Sequence, residues 1–148
     1  MGKVVGIATR DKKGEPMIVC ASVGVTFKSG VGGDCNSLVR NNRQITLMAI
    51  ESWDAVCKDL DRKLHWATRK ANILVEGIDL KNTTNEYLQI GNIYLQITGE
   101  LKPCYKMDEQ FNGLQNALAS DWRGGVTCKL INEGEIHEND KVIFVEKV

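Results

Sequence analysis

Cys104 stands in the sequence context that most favours chemistry. It lies in Leu101-Lys102-Pro103-Cys104-Tyr105-Lys106-Met107-Asp108, between a predicted strand and a predicted helix. If this stretch is extended, Lys102, Cys104 and Lys106 project to one side, because side chains along a strand alternate. Two ammonium groups beside a thiol favour the thiolate, which attacks electrophiles and binds soft metals. The alternative is a buried thiol flanked by solvated lysines, and the residues leave both interpretations open.

Pro103 bears on whether the sulfur of Cys104 can be reached. Proline cannot donate to a sheet ladder, so the segment is predicted to be a sheet edge or a loop. A helix beginning near Asp108 would place the positive end of its dipole close to the thiol. Both features favour an accessible, activated cysteine.

The other cysteines and the histidines give little support for a metal site. The five cysteines are odd in number, and no two of them form a Cys-x-x-Cys pair. A disulfide framework and a zinc ribbon are therefore not expected, and His65 and His137 are too far apart in sequence to suggest a histidine-based zinc site. Cys20, Cys57 and Cys128 fall in apolar strand or helix patterns and are predicted to be structural, whereas Cys35 follows a glycine-rich loop.

Four basic residues are candidates for an anion pocket: Arg43, Arg69, Lys70 and Arg123. Guanidinium groups match the geometry of phosphate, and Arg123 stands beside Gly124 and Gly125, which allow close approach to a ligand. The alternative for each is a solvated surface side chain. Gly30-Val31-Gly32-Gly33 matches neither a P-loop nor a dinucleotide fingerprint, and it is predicted to be a loop.

Composition indicates one globular domain covering residues 1–148. The nineteen basic side chains balance the nineteen acidic ones, which argues against a protein that binds nucleic acid or a membrane surface. Neither a signal peptide nor a membrane span is visible, so we expect a cytoplasmic protein with reduced thiols.

The elements that must position these residues are mostly short strands. Valine and isoleucine enrichment and turn residues predict eight strands, at 3–9, 17–25, 43–48, 72–76, 87–90, 93–98, 125–131 and 141–148. Helical spacing predicts a helix over 50–60, and a second over 108–120 with Asp108 as its cap. These elements predict a mainly β protein, an antiparallel β-barrel with two inserted helices.

Taken in order, several segments resemble the MOSC domain family, which is related to the C-terminal part of molybdenum cofactor sulfurases. The similar segments are Gly32-Gly33-Asp34, Arg43-Gln44-Ile45-Thr46-Leu47, Asn72 to Leu80, Pro103-Cys104, Arg123-Gly124-Gly125-Val126, and Gly134 to Val142. Pro103-Cys104 falls where the family places its characteristic cysteine. Two positions depart from the family pattern: Asn36 stands where the family usually has histidine, and Asn139 where it usually has glycine.

The resemblance implies a MOSC-type β-barrel that binds the molybdenum cofactor, with Cys104 as catalytic residue and metal ligand. It makes Asn72 and Arg123 candidate contacts to the pterin or its phosphate, with Arg43, Arg69 and Lys106 as further candidates. The implied function is a small oxidoreductase component that reduces N-hydroxylated compounds with an external electron donor protein, or a protein that handles cofactor or sulfur. The alternatives are a non-catalytic anion-binding or cofactor-binding module, and a metal-free carrier in which Cys104 forms a persulfide.

Overall fold

The structure, a computed structural model, describes residues 2–147, so Met1 and Val148, the last residue of the predicted C-terminal strand, lie outside it. Eleven strands are present in these residues: β1 (Gly2–Thr9), β2 (Ile18–Cys20), β3 (Ser22–Thr26), β4 (Gly30–Val31), β5 (Ile45–Ala49), β6 (Ile73–Glu76), β7 (Tyr87–Ile90), β8 (Ile93–Glu100), β9 (Val126–Leu130), β10 (Gly134–His137) and β11 (Lys141–Val145). The helices are α1 (Ile50–Leu60), α2 (Lys106–Gln110) and α3 (Leu114–Leu118), with a short 3-10 helix at Trp66–Arg69.

Seven of these strands form a closed barrel in the order β11-β7-β8-β9-β5-β6-β1, and β1 pairs back onto β11. The pairs are antiparallel except β5 and β6, which run parallel. A parallel pair requires a crossover between its strands, and α1 and the 3-10 helix lie in that connection. The predicted fold, mainly β with an antiparallel barrel and inserted helices, is confirmed, and the parallel pair makes the barrel mixed.

Strand alternation divides the buried residues between two cores. Leu47 and Ile73 point into the barrel, where they belong to its hydrophobic core. Met48 and Leu74, one residue further along, point outward and pack with Trp53 in a second cluster beneath the helices. Strands β5 and β6 are therefore apolar on both faces, as expected of strands covered on both sides.

The first helix, α1, agrees with the predicted bounds because its apolar stripe packs on the outside of the barrel. Trp53 and Val56 are buried, and Cys57 packs against the same cluster. The indole Nε1 of Trp53 donates a 2.9 Å hydrogen bond to the carbonyl oxygen of Leu64, which fixes the chain after the helix. The helix ends at Asp61, which adopts a left-handed conformation.

The second predicted helix is two short helices, α2 and α3. Gly113 between them has a φ of +91°, which a right-handed helix cannot accommodate. Asp108 lies within α2 and is not the N-cap of either helix. Its Oδ1 accepts a 2.9 Å hydrogen bond from the backbone N–H of Gln115, in the first turn of α3.

The strand predicted over 17–25 is divided at Ala21 between two sheets. Strand β2 pairs with β1 on the barrel, whereas β3 pairs with β10 and β4 in a separate three-stranded sheet. Among residues 2–147, none of the helices combines the length and apolar character needed to span a membrane.

Candidate functional site

The parallel pair β5 and β6 places two polar residues side by side at one end of the barrel. The hydroxyl of Thr46 donates a 3.1 Å hydrogen bond to Oδ1 of Asn72, and Nδ2 of Asn72 donates to the carbonyl oxygen of Ala8 at 3.2 Å. Asn72 is buried, and its side chain ties three strands together at this point. Thr46 and Asn72 form part of the wall of a cleft that opens at this end.

The cleft has a volume of about 560 Å³. Its wall contains seven basic side chains, namely Arg10, Lys13, Arg43, Arg69, Lys70, Lys102 and Lys106. Only two carboxylates, Asp34 and Glu109, accompany them. Because the chain as a whole has no net charge, this concentration of positive charge marks the cleft as suited to an anionic ligand.

Cys104 lies on the wall of this cleft, and it is exposed. Lys102 and Lys106 line the same cleft, although the stretch is not extended as the predicted alternation requires, because Tyr105 is helical and α2 begins at Lys106. The segment from 101 to 104 is an irregular loop, and the carbonyl oxygen of Cys104 accepts a 3.0 Å hydrogen bond from the N–H of Met107 as α2 begins. The thiol therefore stands on an exposed loop, and two lysines line the same cleft.

The other four cysteines are less accessible. Cys128 is fully buried in the barrel, and burial strongly raises the pKa of its thiol. Burial and the Glu138 carboxylate raise the pKa of the Cys20 thiol, and its Sγ lies 3.9 Å from the carbonyl oxygen of Ile7. Cys57 and Cys35 are half-buried. Cys104 alone among the five, all of which lie within residues 2–147, is exposed.

Arg69 lies at the floor of the cleft, and only 5% of its surface is exposed. Its Nε donates to the carbonyl oxygen of Gly124 at 3.1 Å, and its Nη2 to that of Leu101 at 2.7 Å. Burial lowers the pKa of Arg69 to about 10. The charge of Cys104 raises this pKa, and the charge of Arg43 lowers it further. The side chains of Arg69, Cys104 and Arg43 are thus close enough to interact electrostatically. The hydrogen bonds of Arg69 go to neutral acceptors.

Gly124 is required where the Arg69 guanidinium packs. A Cβ atom at this position would lie 2.5 Å from the carbonyl oxygen of Leu101 and 2.9 Å from Nη2 of Arg69. Any side chain here would therefore displace the buried guanidinium. The glycine serves packing against Arg69, rather than the close approach of a ligand suggested by the sequence.

Arg10 is a cleft residue that sequence reasoning missed. Its backbone N–H donates a 2.8 Å hydrogen bond to Oδ1 of Asp34, whose Oδ2 accepts another from the N–H of Asn36. The Nε of Arg10 is buried and has no acceptor among residues 2–147. Burial, with a further contribution from the Arg10 charge, lowers the pKa of the neighbouring Lys70. An arginine that follows a strand and precedes a polar turn resembles an ordinary surface residue, so the sequence gives no signal for it.

Arg123 lies apart from the cleft. Its Nη1 donates to Oδ2 of Asp59 at 2.5 Å and to the carbonyl oxygen of Ala117 at 3.1 Å. It lines a different cavity, of about 580 Å³, between α1 and α3. The structure therefore brings together Cys104, Arg43, Arg69, Asn72 and Lys106, and it separates Arg123 from them.

Among residues 2–147, no three or more histidine, cysteine, aspartate or glutamate side chains are grouped so as to hold a metal ion. Cys104 could provide one soft ligand, and the basic wall could bind the anionic parts of a cofactor. Asn36, which stands where the resemblance leads one to expect histidine, lines the same cleft.

Several solved structures share this fold. The YuaD protein from Bacillus subtilis superposes with a TM-score of 0.82 at 18% identity, covering 96% of this chain and 94% of that one. YiiM from Geobacillus stearothermophilus superposes with a TM-score of 0.80 at 16% identity, covering 99% of this chain and 76% of that one. YiiM from Escherichia coli superposes with a TM-score of 0.72 at 14% identity, covering 99% of this chain and 71% of that one. At these identities the likeness shows the fold alone.

The family is identified by comparison of the sequence. No curated protein matches it at a significant level. A family model described as MOSC domain matches residues 32–143, a span that includes Arg43, Arg69, Asn72 and Cys104. The chain therefore belongs to the MOSC domain family.

Proposed function

We propose that this protein binds the molybdenum cofactor in the basic cleft, with the thiolate of Cys104 as its ligand to molybdenum. One observation carries the proposal: the exposed cysteine stands on the wall of a cleft with seven basic and two acidic side chains. A thiolate is a suitable soft ligand, and fixed cations suit the phosphate of a pterin cofactor. Membership in the MOSC family supports the same assignment.

The residues fit such a group in two further respects. The buried Nε of Arg10 has no acceptor among the described residues, and an anionic oxygen of a ligand would supply one. Arg43 and Lys106 are exposed on the same wall, and neither forms a side-chain ion pair within residues 2–147, so both could bind a phosphate. Asn72 would act chiefly by holding the strands that form the wall, because its side chain already bonds to Thr46 and Ala8.

The bound cofactor would supply redox chemistry at molybdenum, and the chain would bind and orient it. We propose a small oxidoreductase component that reduces N-hydroxylated compounds, or a protein that transfers the cofactor or its sulfur. The sequence contains no flavin, haem or iron–sulfur motif, so a reductase of this kind would use an external electron donor protein. All five cysteines are free thiols, which suits a reducing compartment such as the cytoplasm.

The proposal is tested by purifying the protein from cells with an intact cofactor pathway and measuring molybdenum and pterin. We expect about one molybdenum per chain in the wild type and in Cys35→Ser, a variant of a half-buried thiol outside the cleft wall. Cys104→Ala should lose most of its molybdenum, whereas the cofactor-free forms of the wild type and of Cys104→Ala should have the same thermal unfolding midpoint, because Cys104 is exposed. Equal molybdenum in all three proteins would overturn the ligand assignment.

A sulfur carrier is the second candidate, favoured by the exposure of Cys104 beside Lys102 and Lys106. In that case Cys104 would hold a persulfide without metal. Mass spectrometry after incubation with a cysteine desulfurase and cysteine should then show one added sulfur atom on Cys104 and none on Cys35. Absence of the added sulfur would remove this candidate.

The third candidate is a non-catalytic anion-binding or cofactor-binding module, favoured by Asn36. An asparagine on the cleft wall cannot act as a proton donor at neutral pH as histidine can. A protein that retains pterin but shows no reduction of N-hydroxylated compounds with a chemical electron donor would support the module. If Asn36→His reduces N-hydroxylated compounds, the residue at position 36 decides between a reductase and a non-catalytic module.

A further inference from the structure

Two large aliphatic side chains are exposed on a loop beside the cleft. Leu38 is 52% exposed and Val39 is 67% exposed. Asn36 and Asn41, which flank this tip in sequence, both line the cleft. The tip therefore lies at the mouth of the cleft.

The ends of this loop are fixed, so the aliphatic pair is held outward. The hydroxyl of Ser37 accepts a 3.0 Å hydrogen bond from the N–H of Val31, and the carbonyl oxygen of Ser37 accepts one of 3.2 Å from Nε2 of Gln44. At the other end, the hydroxyl of Thr98 donates to the carbonyl oxygen of Asn42. Apolar side chains held in solvent beside a functional cleft are typical of an interaction site.

An exposed aromatic side chain lies on a second loop that contributes to the cleft wall. Tyr105 is 66% exposed, and its neighbours Cys104 and Lys106 both line the cleft. Leu38, Val39 and Tyr105 thus border the mouth from two loops that are far apart in sequence. We call these three residues the apolar rim.

Exposed cations lie close in sequence to the residues of the apolar rim. Arg43, Lys102 and Lys106 line the cleft and are exposed. Arg40, next to Val39, is also exposed, and its guanidinium lies 3.9 Å from the ring centroid of Phe27, a cation–π contact that orients it at the rim. Glu109 is the exposed carboxylate of the cleft wall.

We propose that the mouth of the cleft is the docking surface for an acidic protein. Carboxylates of the partner would pair with Arg40 and Lys102, because Arg43 and Lys106 are assigned to the phosphate of the cofactor, and an apolar centre would pack against the apolar rim. An apolar core with a charged border, rich in tyrosine and arginine, is the usual composition of a protein interface.

This inference rests on the proposed function, since a partner at the mouth serves a cleft that handles a ligand. It is tested with the full chain in cells, using a photo-cross-linking amino acid at position 38 or 105. Positions 18 and 19 on β2 serve as controls, because Ile18 (63% exposed) and Val19 (47% exposed) are comparable exposed aliphatics on another strand. We expect an acidic protein cross-linked at 38 and 105, and not at 18 or 19.

The cross-linked protein is then identified by mass spectrometry, purified and titrated against the chain. We expect Leu38→Ser/Val39→Ser to weaken its binding about tenfold or more, and Ile18→Ser/Val19→Ser to leave binding unchanged. Raising the ionic strength from about 0.05 M to about 0.5 M should also weaken the binding.

Three results would overturn the docking surface: no adduct at 38 or 105, equal adducts at the control positions, or undiminished binding by Leu38→Ser/Val39→Ser. Binding of vesicles of anionic phospholipid that this double substitution abolishes would assign the mouth to a membrane instead. Molybdenum content measured on the same preparations keeps the two proposals distinct. Full metal content without adducts removes only the docking surface, and adducts without metal remove only the proposed cofactor.

Discussion

Nη2 of Arg69 donates a 2.7 Å hydrogen bond to the carbonyl oxygen of Leu101, three residues before Cys104. The same guanidinium reaches Gly124 through Nε, so one buried side chain holds two segments that come from distant parts of the sequence. The loop that carries the thiol is therefore supported from beneath by a group that the solvent hardly reaches.

Replacing Arg69 by methionine should loosen this loop. The carbonyl oxygens of Leu101 and Gly124 would lose their donor, and each buried unpaired group costs about 1–3 kcal/mol. Methionine also avoids the burial of a charge, so we expect a local effect larger than the change in global stability. Amide hydrogen exchange of residues 101–107 should become about ten to a hundred times faster, while α1 is unchanged. A uniform increase in both regions would contradict this prediction.

Gly124→Ala should destabilise the protein by about 2 kcal/mol in urea unfolding, because the new Cβ would overlap Leu101 and Arg69. Gly24→Ala is the matched control, since a Cβ at Gly24 meets nothing within 4 Å. Its effect should stay within about 0.5 kcal/mol. Equal free energies of unfolding for the two variants would show that Gly124 is not needed for packing.

The positive potential around Cys104 should appear in a comparison of two alkylating reagents. Iodoacetate is anionic and iodoacetamide is neutral, so the basic wall should favour iodoacetate at low salt. We expect the ratio of their rates at Cys104 to fall in Lys102→Gln/Lys106→Gln, and also when wild type is placed in about 0.5 M salt. Cys128, which is fully buried, should react with neither until the protein unfolds. A ratio that is insensitive to both changes would contradict the basic cleft.

Arg43 and Arg123 should differ in their effect on the cofactor. Arg43→Met removes a cation from the cleft wall and should reduce pterin content several-fold. Arg123→Met breaks the ion pair with the largely exposed Asp59, which is worth about 1 kcal/mol or less, and should leave pterin content unchanged. Loss of pterin from Arg123→Met alone would return Arg123 to the site and remove Arg43.

Lys70 should be unusually reactive as an amine. Burial and the Arg10 charge lower its pKa, so more of it is neutral at a given pH than for an ordinary lysine. Arg10→Gln removes one of these causes, the pKa rises, and acetylation of Lys70 by acetic anhydride at a pH of about 8 should slow. Lys58 on α1 serves as an internal reference whose rate should not change. An unchanged or faster rate at Lys70 would contradict the assigned cause.

The parts of the fold that the sequence predicted are those decided by nearby residues. Helix α1 has an apolar stripe over three turns and no glycine or proline, so its bounds agree with the prediction. Local pattern does not show a change of partner, which is why the strand over 17–25 was not expected to divide at Ala21. The helix over 108–120 was predicted as continuous because a single glycine is tolerated in many helices, whereas Gly113 here takes a left-handed conformation.

The same distinction applies to the cleft. Lys102, Cys104 and Lys106 lie within five residues, so closeness in sequence was enough to group them, although the stretch is not an extended strand. Arg10 contacts Asp34, twenty-four residues away, and no local signal indicates that contact. The ion pair of Arg123 with Asp59 spans sixty-four residues, and no local signal indicates it either. The glycines beside Arg123 suggested close approach to a ligand, whereas in the structure Gly124 gives the guanidinium of Arg69 room to pack.

The gathering of cations at one end of the barrel has a consequence for the molecule as a whole. Seven of the nineteen basic side chains and two of the nineteen acidic ones line the cleft, which leaves twelve basic and seventeen acidic elsewhere. A chain with no net charge therefore has a strong dipole moment. In solution it will turn its cleft toward any negatively charged body that approaches, so encounters begin in the productive orientation. Near neutral pH, it should also adsorb to both anion and cation exchangers at low salt, from opposite faces.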